Sequence, residues 1–545
     1  MSDRKQTEKQ RHPRAVEPFT LFLILITSVM GAVIGMQLIV TLGISANTAI
    51  IGALLAMVIS RIPIAIMKKY RSVHRQNIIQ TAISSATFGA ANSLLIPIGI
   101  PFLMGKTELI LPMLIGAALA MFVDAFLMYK MFDNKIFPAQ GTWPPGVATA
   151  ESIIAGDQGG KRAKFLGLGI AGGLVGSFLG VPMSAFGVAF IGNLAALTMF
   201  GLGLLIRAYS IPLAGIDLNA LYVPHGFMIG AGLMALVQVA ILISKKKQQP
   251  AAQAHVQKSE ISATSQAAAE VETKADKEIG RVFGIGFFAY LAVALIIAIT
   301  GGIMTDMSLG MFIGYLLFAA FAAFVHELIV GISAMHSGWF PAFAVALITL
   351  IIGMLVGFPP VALALLVGFS AATGPAFADM GYDLKTGYIL RGNGADMEYE
   401  LDGRRQQFIT AMIAFGVATL AVLFAYEGYF KANLVPPVDK VYVATIEAGV
   451  SGDIAKQLLL WAIPGAILQW LGGPNRQLGV LLATGLLILS PAAGWAVLAG
   501  IAIRSLVLKW KGKEAEVPMS ILAAGFIAGD ALYNFFSSML KMGKS

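Results

Sequence analysis

The sequence predicts an all-α integral membrane protein, a polytopic bundle of about 14–16 helical segments in two repeated halves, with broken or re-entrant helices. Three observations carry this. Hydrophobic residues make up 57% of the 545 residues and charged residues 12%, against about 45–50% and about 25% in ordinary globular chains. The apolar residues gather in runs of spanning length. Short patterns also recur in the two halves in the same order. A soluble chain of this size needs far more charge to cover its surface, so a cytosolic or secreted globular enzyme is excluded.

Residues 1–18 form a polar tail. A spanning helix needs about 20 apolar residues, and a charge near its centre costs about 2.5–3.5 kcal/mol. By that rule the runs 19–42, 46–67, 77–104, 109–129, 165–181, 183–207 and 219–243 make a first membrane repeat, 19–244. No small-residue cleavage site follows 19–42, which reads as an uncleaved first helix. Residues 245–280 are polar and rich in Ala, Gln and Ser, the composition of a flexible cytoplasmic linker. The runs 281–300, 308–326, 329–357, 360–378, 406–426, 455–472, 477–509 and 518–540 make a second repeat, 281–545, with an extra C-terminal helix.

Basic residues cluster on one side of these runs, beginning with Arg4, Lys5, Lys9, Arg11 and Arg14, which places the N-terminus in the cytoplasm. Keeping Arg61–Arg75, Lys161–Lys164, Lys245–Lys247, Arg404–Arg405 and Lys509–Lys513 on that side requires 183–207 and 455–472 to enter and leave from one face. Non-helical backbone at membrane depth is tolerated only under protein or beside water, so both stretches are candidates for the substrate path.

The halves share patterns. Ile83–Gly89 matches Ile332–Gly338, Gly160–Phe165 matches Gly403–Phe408, and Leu221–Gly226 loosely matches Ile488–Gly494. Basic clusters on one face give these repeats parallel topology about an axis along the membrane normal, an architecture of secondary transporters that channels and membrane enzymes also use. With zero cysteines, disulfides, thiolate zinc sites and thiol catalysis are excluded; any metal must bring its own ligands or meet His and carboxylate. The sparse basic residues argue against nucleic acid. His326-Glu327 begins a zinc-helix pattern that Val330 ends, and the Gly156–Lys161 stretch lacks phosphate-loop spacing. With no nucleotide site legible, transport must be driven by a gradient. No cofactor is expected.

Several polar residues stand out against this apolar background. The island Thr142-Trp143-Pro144-Pro145-Gly146-Val147-Ala148-Thr149-Ala150-Glu151 contains helix breakers, which predicts an unwound segment with Glu151 free to take a proton; an acid favouring the first turn of a helix is the plainer alternative. His225, and His336 beside Trp339, lie in or next to apolar runs and suit proton coupling or contact with a metal chelate, or simple hydrogen bonding. Asp124 and Asp530 are the acids deepest in apolar sequence, coupling candidates unless Arg207 or Arg504 pairs with them. Asp379 and Asp383 read as solvated at a helix end. Gln80, Ser84 and Thr87 share a helix face that lines a polar cavity or bonds a neighbouring helix. Gly172, Gly176 and Gly180 form a close-packing face.

Four segments together resemble the oligopeptide transporter family, which includes the yellow-stripe metal-chelate carriers, and in particular its bacterial members. Asn77-Ile78-Ile79-Gln80-Thr81 leading to Ile96-Pro97 is similar to an early family helix. Trp143–Glu151 is similar to the P-x-G-T-A signature, with Pro145 and Val147 departing from it. Asp383-Leu384-Lys385-Thr386-Gly387-Tyr388 followed by Arg404–Gln407 resembles a third segment, interrupted by the insertion Gly392–Gly403. Ala523–Leu532 resembles the terminal helix, with Asp530 in its acidic place. The resemblance covers most of 20–540 outside the linker. It implies proton-coupled import of small oligopeptides by alternating access, or carriage of metal–chelator complexes, in a bacterial inner membrane; a homodimer would be unsurprising. An integral-membrane enzyme on lipid-linked substrates and a channel are the rival classes.

Overall fold

A computed structural model describes residues 11–43, 52–53, 55–56, 60, 62–141, 143–156, 161–248, 265–337, 342–449 and 452–542. These residues build helices and no sheet. In chain order they are α1 (Pro18–Leu42), α2 (Val73–Phe88), α3 (Ile96–Leu103), α4 (Ile110–Met131), α5 (Pro144–Gly156), α6 (Lys161–Phe178) and α7 (Met183–Ile191). Then come α8 (Leu194–Ala214), α9 (Val223–Gln248), α10 (Ser265–Thr300), α11 (Leu309–Ser337), α12 (Ala342–Val356), α13 (Pro360–Ala372) and α14 (Pro375–Leu390). The last are α15 (Met397–Lys431), α16 (Pro437–Ala448), α17 (Gly452–Arg476), α18 (Leu478–Leu486), α19 (Pro491–Lys511) and α20 (Glu516–Met542). Among the described residues, 10 helical stretches are long and apolar enough to cross a membrane. The chain is therefore an all-α polytopic membrane protein.

Two of these stretches, Val73–Leu103 and Pro360–Leu390, are broken within the span. In the first, α2 passes through a π-helical turn, Gly89–Leu95, into α3, where Pro97 and Pro101 withhold backbone donors. In the second, Thr373 is extended and Gly374 takes φ +98°, a conformation that glycine adopts without a Cβ clash. The 183–207 run is also interrupted. It splits at Gly192 into α7, too short at nine residues to cross, and α8, which the Asn193 side chain caps by accepting from Ala196 N–H. The 455–472 run is instead one continuous helix; the reversal comes after it, at Gly473 with φ +75°. The short α18 then packs back on α17, with Gly479 against the Gln469 backbone. Helix α9 carries on through the Lys245–Lys247 cluster, and α10 begins in polar sequence well ahead of its apolar span Gly280–Thr300.

The two halves of the chain interlock. Helix α6 packs against α20, α9 against α17, α8 against α18 and α19, and α2 and α4 against α15 and α14. The residues leading into α9 and α19, Leu221–Gly226 and Ile488–Gly494, both precede and open a helix, whereas Lys161 opens α6 and its sequence counterpart Arg404 lies inside α15. At one end, residues 11–17 lie over the start of α15. His12 N–H donates to Asp402 and Ala15 N–H to Gln406 Oε1. Burial, with the Arg391 charge nearby, lowers the His12 pKa from 6.5 to about 4.

Candidate functional site

A cleft of about 280 Å³, with both polar and apolar walls, opens between the halves, where the end of α1, the α6–α7 turn, the start of α19 and α20 meet. Gln37, Thr41, Ser177, Ser184, Ser490 and Asp530 supply its polar lining. Its geometry originates in glycines. A Cβ at Gly169 or Gly173 would stand 2.3 or 2.5 Å from the carbonyl oxygen of Leu522 or Phe526 on α20, closer than atoms can pack, so α6 and α20 cross backbone to backbone. The close-packing face is therefore Gly169–Gly173. The Gly172, Gly176 and Gly180 face expected from sequence meets the Phe526 ring, Met183 and, at Gly180, open space. Ser177 continues the true face by one turn and donates its hydroxyl to Asp530 Oδ1. The first turn of α7 adds Ser184 N–H to Asp530 Oδ2 at 2.9 Å. Asp530 thus has its charge-bearing oxygens held from the opposite half, and not by Arg504, whose guanidinium donates to Ala189 and Gly192 carbonyls. The N-termini of α7 and α19 both reach this cleft, and each presents the positive end of a helix dipole.

A second polar region is the seam between α2 and α14. Ser84 donates to Asp379 Oδ1 at 2.6 Å, Gln80 Nε2 to Asp383 Oδ1 at 2.6 Å, and Ser85 to Asp383 Oδ2 at 3.3 Å. Asp379 and Asp383 are fully buried, not solvated as the sequence suggested, because α14 continues through them and lies against α2. Gln80 and Ser84 bond across helices; Thr87 satisfies its own hydroxyl on Ile83 O. Gln407 Nε2 donates to the Asp383 carbonyl at 2.6 Å and Arg391 to Gln407 Oε1 at 2.8 Å, which joins the seam to the buried Arg391–Glu400–Arg404 ion cluster. Sequence reasoning missed the two aspartates because their partners lie some three hundred positions away. Their spacing, one helical turn apart, was the available signal.

The other candidates are dispersed. Asp124 is fully buried and bonds Tyr290 and Gly374, while Arg207 pairs with Asp217 at 3.3 Å. Trp143 is fully buried with φ +35°, its indole donating to Pro138 O and its ring packed on Phe132, Phe137 and Tyr382. The Pro144–Gly146 segment is not unwound. Pro144 starts α5, a position where proline's fixed φ and missing N–H cost nothing. Thr149 returns its hydroxyl to Pro145 O inside this helix, and Glu151 is exposed two turns in. His225 is buried in the first turn of α9 beside the Tyr222 ring, with Nδ1 unpartnered among the described residues. His336 lies near the end of α11; Thr142, Trp339 and the His336 side chain fall outside the described residues.

The family model described as OPT oligopeptide transporter protein matches residues 19–211 and 208–541. No curated protein matches the chain, and no solved structure does.

Proposed function

Because the chain belongs to the OPT oligopeptide transporter family, and so is an integral membrane transporter and not an enzyme, we propose that it imports small oligopeptides by alternating access with proton symport. The Asp530 cleft carries this reading. A free peptide is a zwitterion, and the cleft offers a complement to each end. The Asp530 carboxylate, held by the first turn of α7, faces the peptide ammonium, and the N-terminus of α19 faces the peptide carboxylate. Elements of both halves form the cleft, so a rocking motion of one against the other exposes it to either side. A polycarboxylate metal chelate, the alternative cargo within the family, would bring like charge against Asp530, which favours the peptide.

The direction is inward in this reading, across a bacterial inner membrane with the N-terminus cytoplasmic, consistent with the basic clusters flanking the helices. The membrane potential supplies about 2.3 kcal/mol per charge per 100 mV, and a one-unit pH gradient about 1.4 kcal/mol per proton. One proton per peptide at that pH gradient alone sustains about tenfold accumulation. The test is uptake of radiolabelled trialanine into proteoliposomes with an alkaline interior. Accumulation that a protonophore abolishes supports the proposal, and uptake that merely equilibrates, with or without the gradient, overturns proton coupling.

A further inference from the structure

Three ionisable groups meet deep inside the protein, away from the cleft. Asp124 lies within the span Thr107–Met131, Tyr290 at the middle of Gly280–Thr300 and Glu327 within Leu309–Met335. All three are essentially without exposure. Tyr290 Oη is 2.5 Å from Asp124 Oδ1 and 3.0 Å from Glu327 Oε2. A phenol carries a single proton and donates it once. Two ionised carboxylates cannot both be satisfied by it, so one of the two contacts needs a proton from a carboxylic acid. Glu327 Oε1 is buried with no partner among the described residues, and no Lys or Arg there forms an ion pair with either acid. His326, the adjacent residue on α11, turns its Nδ1 to Ser370 Oγ at 3.0 Å. The Tyr290 ring meets Phe369 edge to face, with centroids 6.1 Å apart.

We propose that Asp124, Tyr290 and Glu327 form the proton carrier of the transport cycle, holding one transferable proton in the order Glu327 to Tyr290 to Asp124. This rests on the proton-coupled reading above and names the groups that would perform it. Glu327 O–H donates to Tyr290 oxygen, and Tyr290 O–H donates to the Asp124 carboxylate. Loss of that proton leaves two buried anions competing for one hydroxyl, an arrangement the site disfavours. The signal has a mechanical outlet. Asp124 Oδ2 accepts the Gly374 N–H at 2.6 Å, and Gly374 is the break between α13 and α14. Helix α14 carries Asp379 and Asp383, which bond α2 of the other half. Protonation at the triad is thereby tied to the broken helix and to the seam between α14 and α2.

The test uses the full chain in lipid and two independent readouts. Infrared spectra should show a C=O stretch of a buried, protonated carboxylic acid, over and above any from the buried Asp379, Asp383 and Asp439, that is lost in Glu327→Gln or Asp124→Asn and shifted in Tyr290→Phe. In proteoliposomes, Glu327→Gln should keep trialanine exchange at equal pH while pH-driven accumulation falls from about tenfold to unity. Tyr290→Phe, which removes only a hydroxyl and leaves both acids in place, supplies a second variant should the acid variants fail to fold. Absence of the band, its survival in both acid variants, or wild-type accumulation by Glu327→Gln overturns the assignment. If the wild type itself accumulates no trialanine, the peptide symport reading fails, and the infrared band alone still decides whether the triad stores a proton.

Discussion

Replacing Asp530 by Asn tests how the cleft recognises cargo. In the wild type, Asp530 accepts from the Ser177 hydroxyl and from Ser184 N–H at 2.9 Å. An amide can keep the Ser184 N–H on its oxygen and donate to Ser177 Oγ, whose hydroxyl then turns to Gly173 O at 2.8 Å, so the fold should change little. The substrate effect is separate. A hydrogen bond to a charged group contributes about 1.5–3 kcal/mol, so losing the carboxylate should raise KM for trialanine by about 10- to 100-fold. The same energy should vanish from the wild type when the peptide ammonium is removed. The assay is therefore a cycle: wild type and Asp530→Asn, each with trialanine and N-acetyl-trialanine, read as uptake KM. The wild type should discriminate strongly between the two peptides and the variant hardly at all. Equal discrimination by both proteins would refute the pairing of Asp530 with the amino terminus.

Other perturbations follow from the same geometry. Gly173→Leu places a side chain where even a Cβ would lie 2.5 Å from Phe526 O; overpacking of about 1–3 kcal/mol should lower the Tm in detergent and weaken trialanine binding, since Ser177 sits one turn along. Glu400→Ala strands Arg391, which it bonds at 2.8 Å, while Arg404 keeps Asp133 at 3.0 Å, and should destabilise by about 3–5 kcal/mol in thermal unfolding, a larger loss than Glu427→Ala at an exposed i,i+4 pair. The pH dependence of the N-terminal segment has a definite sign. His12 is held neutral, its pKa lowered from 6.5 to about 4 by burial, so the unfolded segment binds more protons between those values. Docking of residues 11–17 is then firm above pH 6.5, weakens as pH falls toward 4 and changes no further below. Hydrogen exchange across pH should show that window in the wild type and not in His12→Gln.

Much of this architecture is legible from residue pattern. Apolar runs locate the spans, and the sidedness of the basic clusters singles out 183–207, where the helix splits at Gly192, whereas the π-helical turn inside Val73–Leu103 leaves no mark on its apolar run. Gln80, Ser84, Asp124 and Asp530 stand out because polar groups in apolar surroundings need partners. What stays hidden is which partners they find. Ser84 meets Asp379 and Tyr290 meets Glu327 only once distant helices pack, and no local rule ranks those pairs. Glu327 is masked by its place between two apolar runs, where the failed zinc pattern draws attention away from the acid itself. The Pro144-Pro145 pair shows a different failure. Proline breaks a helix interior and equally well begins one, and position decides which. The glycine face is displaced for a similar reason: Gly169 and Gly173 share the helical spacing of Gly172 and Gly176, and only contact with α20 selects between the two faces.

The central claim is that peptide and proton move together, and linkage makes it testable from the peptide side. Proteoliposomes holding a pH-sensitive dye, with no initial pH difference and the membrane potential clamped, should acidify inside when trialanine is added outside. The rate should saturate with peptide and vanish in protein-free vesicles. Trialanine entry with no movement of protons would contradict the account.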